Sequence, residues 1–146
     1  MIDVIFNFLI QFDLLIKNNL ELSLILYFLF SFLFFTFSLP GSLIIILASS
    51  FFFGFITGFI INITTIVLGS LCFFIFFKNI FKKYFNKQIE KFSDKLNKII
   101  KKSSFEYLVL LRLIFGVPLF VQNLFLSTLN ISKTKFIISS FIGFTP

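Results

Sequence analysis

The sequence predicts an all-α polytopic integral membrane protein with two re-entrant, broken-helix hairpins and a basic amphipathic helix that connects them. Hydrophobic residues make up 58% of the chain, compared with roughly 45–50% in soluble domains. The mean hydropathy is +1.06. Residues 22–77 carry no charge, and a membrane-spanning helix needs about 20 apolar residues. Helix breakers interrupt the apolar sequence at 40–41 and again at 116–118, which predicts the two hairpins.

Residues 1–19 are predicted to form an interfacial N-terminal helix. Polar and charged residues interrupt this apolar stretch too often for a span, at Asp3, Asn7, Gln11, Asp13 and Lys17. An amphipathic helix lying in the membrane interface tolerates such residues on its polar face. The first basic residue follows the apolar run instead of preceding it, so the sequence does not predict a signal peptide.

A short first span is predicted over 22–39, followed by a first re-entrant region over 39–58. Pro40 removes a backbone donor and Gly41 adds flexibility, so a helix ends there, and Ser42 follows. The next apolar piece, 43–53, would reach about 16 Å as a helix, roughly halfway through a bilayer. A re-entrant segment that closes near residues 54–58 is therefore predicted.

A full span is predicted over 59–77, with a stripe of small and weakly polar residues along one side. At 100° per residue the members would fall within about 80° of one another on a continuous helix, and they are Gly54, Gly58, Asn62, Thr65, Gly69 and Cys72. Small residues let helices approach closely where lipid supplies no hydrophobic drive. The stripe is typical of helix packing, also between copies in a homo-oligomer, and a substrate path along this side is the alternative interpretation.

Residues 78–105 are predicted to form a basic cytoplasmic loop or helix. Within 78–102, nine lysines face two acids, and apolar residues recur near helical spacing. Such a segment could bind nucleic acid. In a membrane protein, a short lysine-rich loop more simply marks the cytoplasmic side and contacts anionic headgroups. We therefore expect membrane lipids as partners, no nucleic acid, and a multi-pass protein of the cell membrane (the inner or plasma membrane).

A second re-entrant region is predicted over 107–131, around the only arginine of the chain. The candidate substrate residues are Arg112, Pro118, Gln122 and Asn123, with Gly116 at the break. An arginine at membrane depth costs about 3 to more than 10 kcal/mol, depending on the scale used. Its planar fork of donors suits phosphate better than the point charge of lysine. The alternative is an interfacial arginine whose side chain reaches the headgroups.

The residue inventory does not favour an enzyme, and no catalytic residue, metal site or cofactor is predicted. The chain has no histidine, which excludes a histidine-dependent triad or histidine metal site. A lone cysteine, Cys72, can form neither a disulfide within the chain nor a thiolate metal cluster. The six acids are dispersed, and no phosphate-cradling loop motif is present.

Both breaks carry patterns that resemble the signatures of the DedA/VTT (SNARE-associated) membrane proteins. The second signature is matched by the spacing of Arg112, Pro118 and Asn123. The sequence LPGS at 39–42 resembles the first signature, and the helix that follows carries glycines at positions 54, 58 and 69. The resemblance extends over residues 20–146. DedA proteins often have an acid directly after the Pro-Gly, where this chain has Ser42, so it is closer to the VTT branch.

The resemblance implies two re-entrant hairpins that face each other across the membrane. It also implies a role in moving or scrambling phospholipids or polyprenyl-phosphate lipids between leaflets. The alternative is a structural or assembly protein that packs helices or docks partners through its glycine stripe, without transport. Relatives usually continue past 143–146 into a further helix, so we expect the last helix to be missing from the 20–146 domain.

Overall fold

The computed structural model describes residues 16, 18–84, 104–114, 117–129 and 131–145, and these contain six α-helices and no strand. The helices are α1 (Leu20–Thr36), α2 (Ser42–Phe53), α3 (Phe55–Tyr84), α4 (Ser104–Leu113), α5 (Leu119–Thr128) and α6 (Lys133–Phe144). Most of the predicted interfacial helix over 1–19 and most of the basic segment over 78–105 lie outside the described residues.

Helices α2 and α3 form an antiparallel hairpin with a turn of one residue. Gly54 ends α2 with a φ of 79° and a ψ of 164°, a conformation that is almost confined to glycine and costs a residue with a Cβ about 1–3 kcal/mol. A Cβ at Gly58 would lie 2.8 Å from backbone atoms of Ser49 and Ser50, so the helices touch through their backbones. One turn further on, Asn62 Nδ2 donates to Ile46 O at 3.2 Å. The hairpin thus depends on close approach and on a side chain that satisfies a carbonyl of α2.

Helix α1 packs along the other side of α3. A Cβ at Gly69 would lie 2.8 Å from Phe35 Cβ and from Thr36 N, which makes this the closest approach of the two helices. Phe35 is fully buried there with Ile66 and Val67. The Tyr27 hydroxyl donates to Ile45 O, so α1 also satisfies a carbonyl of α2.

The C-terminal helices pack around the second half of α3. Phe74 of α3 stacks on Phe136 of α6, with ring centroids 4.4 Å apart. Leu108 of α4 and Leu126 of α5 are fully buried in the same cluster. Lys78 Nζ donates to Ile131 O at 2.9 Å, which connects α3 to the start of α6.

The outer surface is apolar, whereas several buried side chains are polar. On α1 the exposed residues follow helical spacing, at Leu22, Ile25, Leu26, Leu29, Phe30 and Leu33, while Ser31 is buried. Soluble monomers rarely expose an apolar patch of this extent. Among the described residues, Phe55–Ile80 is the one segment long and apolar enough to cross a membrane; the apolar helices α1, α2 and α5 have 17, 12 and 10 residues.

Helix α3 is longer than the span predicted over 59–77. It begins directly after Gly54 and continues to Tyr84, because no proline interrupts it. Its 30 residues measure about 45 Å, more than the roughly 30 Å of a hydrocarbon core. The helix is therefore longer than a span perpendicular to the membrane requires.

Candidate functional site

Arg112 lies near the end of α4 and is enclosed by protein, with only 4% of its surface exposed. Its Nη1 donates to Asn123 Oδ1 at 2.7 Å. The guanidinium carbon lies 4.9 Å from the ring centroid of Phe136 and 4.7 Å from that of Phe144. The cation is therefore held by one amide oxygen and two aromatic rings of α6.

Two of the three guanidinium nitrogens have no hydrogen-bond partner among the described residues. These are Nε and Nη2 of Arg112, and both atoms are buried. Each buried donor left without a partner costs about 1–3 kcal/mol, and more in a charged group. Nε and Nη2 lie on one edge of the planar guanidinium, the edge that can bind two oxygens of one phosphate or carboxylate.

Asn123 joins Arg112 to two other parts of the chain. It is fully buried, and its Nδ2 donates to Ser38 Oγ at 2.9 Å and to Ser70 Oγ at 3.2 Å. Its partners come from the end of α4, the α1–α2 connection and the middle of α3, while Asn123 itself lies in α5. We call Arg112, Asn123, Ser38 and Ser70 the polar cluster.

Ser38 has the only left-handed backbone conformation among the described residues other than glycine, with a φ of 50°. That conformation costs about 1–2 kcal/mol in an L-residue. Strained residues of this kind persist where the surrounding structure holds them, often at functional sites. Here the strained serine places its hydroxyl against Asn123.

The polar cluster lies at the level of the middle of the apolar part of α3. Ser70 is 15 residues after Phe55 and 10 residues before Ile80, the limits of the apolar stretch. At 1.5 Å per residue, these separations are about 22 and 15 Å. Arg112, which Asn123 links to this level of α3, is therefore far from both ends of the span.

Gly143 allows α6 to lie against the stem of Arg112. A Cβ built on Gly143 would overlap Cβ of Arg112 and would lie 3.0 Å from its Cγ. No side chain larger than hydrogen fits there without a shift of α4 or α6. With Phe136 and Phe144 on the same helix, α6 forms the cover of the cluster.

Two predicted substrate residues close the second break and do not contact Arg112 by hydrogen bonds. Pro118 directly precedes α5 as its N-cap. Gln122 is buried, and its Nε2 donates to Val117 O at 3.2 Å and to Ile114 O at 3.5 Å. Gln122 therefore satisfies carbonyls that the interrupted helix leaves open, as non-helical backbone in a membrane requires. Gly116 lies outside the described residues.

The residues predicted at the first break shape the α1–α2 connection and form none of the hydrogen bonds of the polar cluster. Pro40 lies in that connection, Gly41 is the N-cap of α2 with a φ of 99°, and Ser42 begins the helix. Ser38, two residues before the proline, is the one that reaches Asn123.

The predicted packing stripe divides between two neighbours. Gly58 and Asn62 contact α2, whereas Gly69 contacts α1. Gly54 has open space around it and serves the turn instead of packing. Cys72 is exposed.

The sequence reasoning missed Ser38, Ser70, Phe136 and Phe144. Serine and phenylalanine are frequent throughout the chain, so neither type stands out. Ser70 directly follows Gly69. A hydroxyl beside the stripe at the middle of the span is the one sequence feature that could have identified it. Phe144 follows directly after Gly143, the glycine that lies against the stem of Arg112.

Comparison with known families gives one match. The model of the VTT domain matches residues 39–146, a range that contains the whole polar cluster except Ser38. No curated protein and no solved structure shows a significant match. All described helices are consistent with this family of membrane proteins, and the match extends over about three quarters of the chain. The chain belongs to the VTT domain family.

Proposed function

We propose that this protein moves or scrambles phosphate-bearing lipids between the two leaflets of the cell membrane, with Arg112 as the group that receives the phosphate. The observation that carries the proposal is the pair of buried guanidinium nitrogens without a partner among the described residues. Movement of a lipid needs no covalent step, so the proposal requires no catalytic residue and no cofactor.

The energetics of Arg112 favour an anionic ligand. Its charge-assisted hydrogen bond to Asn123 contributes about 1.5–3 kcal/mol. Two aromatic contacts add about 0.5–2 kcal/mol each. These terms total about 2.5–7 kcal/mol, against a cost of about 3 to more than 10 kcal/mol for arginine at membrane depth. A phosphate on the two remaining donors would offset the difference and satisfy both nitrogens.

The two helix breaks support the proposal because they meet at the polar cluster. Ser38, next to the first break, accepts a hydrogen bond from Asn123, five residues after the second break. In transporters, paired interruptions of this kind place binding sites near the membrane midplane. We infer that both are re-entrant hairpins, and that the lysine-rich 78–102 segment faces the cytoplasm and its anionic headgroups.

Access to Arg112 requires movement of α6. The described conformation leaves 4% of the arginine exposed, so it represents a closed state under this proposal. The two ring contacts and the packing at Gly143 hold α6 over the guanidinium, and Phe136 of α6 also stacks on Phe74 of α3. A bidentate phosphate would replace the ring contacts with stronger charge-assisted hydrogen bonds.

The structural or assembly alternative is less well supported. It needs the glycine stripe to be available for a partner, but Gly58 and Gly69 are covered by α2 and α1 of the same chain. The stripe therefore has an intramolecular role that accounts for its small residues.

The test is lipid flipping in proteoliposomes that contain a fluorescent phospholipid. Arg112→Gln should lower the flipping rate at least about tenfold, because a bond to a charged group is worth 1.5 kcal/mol or more. Arg112→Lys, which keeps the charge but not the fork, should recover only part of the rate. Lys135→Gln removes an exposed cation from α6 and should leave the rate unchanged.

Equal rates for wild-type protein and a folded Arg112→Gln variant would refute the role of Arg112. Wild-type protein without flipping above that of empty liposomes, recovered together with a stable partner, would instead favour the assembly alternative.

A further inference from the structure

An apolar groove of about 520 Å³ opens on the surface beside the polar cluster. Helices α1, α3 and α5 form its walls. The residues that line it include Thr36, Phe37, Cys72, Phe73, Phe76 and Phe120. Ligand pockets commonly have volumes of about 300–1,000 Å³, so the groove is large enough for part of a lipid molecule.

Each wall of the groove contains a residue that is close in sequence to a member of the polar cluster. Phe37 of the first wall is followed by Ser38. On α3, Phe73 lies three residues after Ser70, and on α5, Phe120 lies three residues before Asn123. Residues three apart share one side of a helix. The groove therefore lies close to the buried polar cluster.

The chemistry of the groove suits hydrocarbon and excludes a headgroup. Its walls are mostly phenylalanine, and the hydroxyl of Thr36 already donates to Phe32 O at 2.7 Å. The ring of Phe73 makes an edge contact with that of Phe120, with centroids 5.5 Å apart, which gives the inner wall a defined shape. Phe37 and Phe76 are 66% and 62% exposed, so the outer side is open to the bilayer.

We infer that this groove holds one hydrocarbon chain of the same lipid whose phosphate binds Arg112. The inference rests on the proposed function, since it assigns the apolar part of that substrate. A lipid with its phosphate at the polar cluster has its headgroup at membrane depth, and its chains must leave sideways. The groove is the adjoining apolar surface through which one chain reaches the bilayer.

A second groove of the same kind provides an internal control. It has a volume of about 390 Å³ and lies between α1 and α3, where Phe28, Thr57 and Ile61 are among its lining residues. Thr57 lines the groove, Ser23, Tyr27 and Asn62 are adjacent in sequence to lining residues, and none of these side chains carries a positive charge. A phosphate therefore gains no favourable contact there, and a lipid should bind in this groove through its hydrocarbon chains alone.

The test is photo-crosslinking of the full chain in maltoside micelles, which contain no phosphate. The probes are a phosphatidic acid with a diazirine in the middle of one chain, and a diacylglycerol with the same chains. Peptide mapping by mass spectrometry then compares adducts at the two grooves. At the larger groove we expect about tenfold more adducts from the phosphatidic acid, since one bond to a charged donor provides about that preference. At the smaller groove we expect equal labelling.

Arg112→Gln should abolish the preference at the larger groove and leave the diacylglycerol adducts unchanged. Equal labelling of that groove by both probes, or a preference that survives Arg112→Gln, would overturn the inference. If Arg112→Gln also abolishes flipping while the larger groove shows no preference, the proposed function stands and the inference fails. If the preference is present but wild-type protein moves no lipid, the lipid site stands and the proposed function fails.

Cys72→Phe tests the same groove by filling it. The exposed thiol lies in the wall, and a ring at that position should lower both the adduct yield and the flipping rate. Ile56→Phe adds a ring of the same size on α3 at a position that is 73% exposed, and should change neither. Unchanged adducts and flipping in a folded Cys72→Phe variant would overturn the inference.

Discussion

Replacement of Asn123 by aspartate separates the structural role of Arg112 from a role in phosphate binding. The amide oxygen of Asn123 accepts from Arg112, and its nitrogen donates to Ser38 and Ser70. A carboxylate has nearly the same shape and keeps the bond to Arg112. The two serine hydroxyls can rotate to donate to the carboxylate, since a hydroxyl both donates and accepts; Ser38 then gives up its long hydrogen bond to Phe35 O, at 3.3 Å. Asn123→Asp therefore preserves the geometry and adds a counter-charge.

The expected change in stability follows from the charges. Opposite charges about 4 Å apart attract by about 4 kcal/mol at an effective dielectric constant of 20. Burial of the new carboxylate costs several kcal/mol, so Asn123→Asp should be about as stable as the wild type. Asn123→Leu removes every bond of the amide and leaves Arg112 without a hydrogen bond to the described residues. Loss of a hydrogen bond to a charged group costs about 1.5–3 kcal/mol.

The assay combines thermal unfolding in detergent with flipping in proteoliposomes. We expect Asn123→Asp to unfold near the wild-type temperature and Asn123→Leu to unfold well below it. Both should lose flipping: the aspartate variant because its carboxylate neutralises Arg112 and repels phosphate, and the leucine variant because the site is disrupted. A stable Asn123→Asp protein that flips lipid at the wild-type rate would refute the assignment of Arg112 as a phosphate ligand.

Substitutions at three further positions test the packing around the polar cluster by thermal unfolding. Gly143→Ala should lower the free energy of unfolding by about 1–3 kcal/mol, because its Cβ would overlap the stem of Arg112. Gly69→Ala should cost a similar amount, because its Cβ would lie 2.8 Å from Phe35 Cβ. Ser38→Gly should be about 1 kcal/mol more stable than Ser38→Ala, since both lose the hydroxyl and only glycine relieves the left-handed backbone.

Matched alanine variants at exposed positions serve as controls. Ile142→Ala lies beside Gly143 on α6, and Leu68→Ala lies beside Gly69 on α3; both residues are at least 40% exposed. Each control should change stability less than the adjacent glycine variant. Unfolding temperatures that are equal within each pair would contradict the close approach of α6 to Arg112 or of α1 to α3. Equal stability of the two Ser38 variants would contradict strain at that residue.

Composition and order along the chain were enough to predict the class of protein. The uncharged run over 22–77, the breaks at 40–41 and 116–118, and the spacing of Arg112, Pro118 and Asn123 together indicated a helical membrane protein of the VTT type. The family match over 39–146 confirms that assignment. These features can be recognised in the sequence because hydrophobicity and helix breaking act locally, through each residue and its immediate neighbours.

The partners of Arg112 were decided only by the tertiary structure. Asn123 connects it to hydroxyls that lie 85 and 53 residues away in sequence, and Gly143 lies against its stem from another helix. Helical periodicity shows which residues share one side of a helix, but not which helix packs against that side. Hydrogen bonds depend on distances of a few tenths of an ångström. The sequence alone therefore identified the arginine and its asparagine as candidates, whereas packing determined that two of the guanidinium nitrogens are buried without a partner among the described residues.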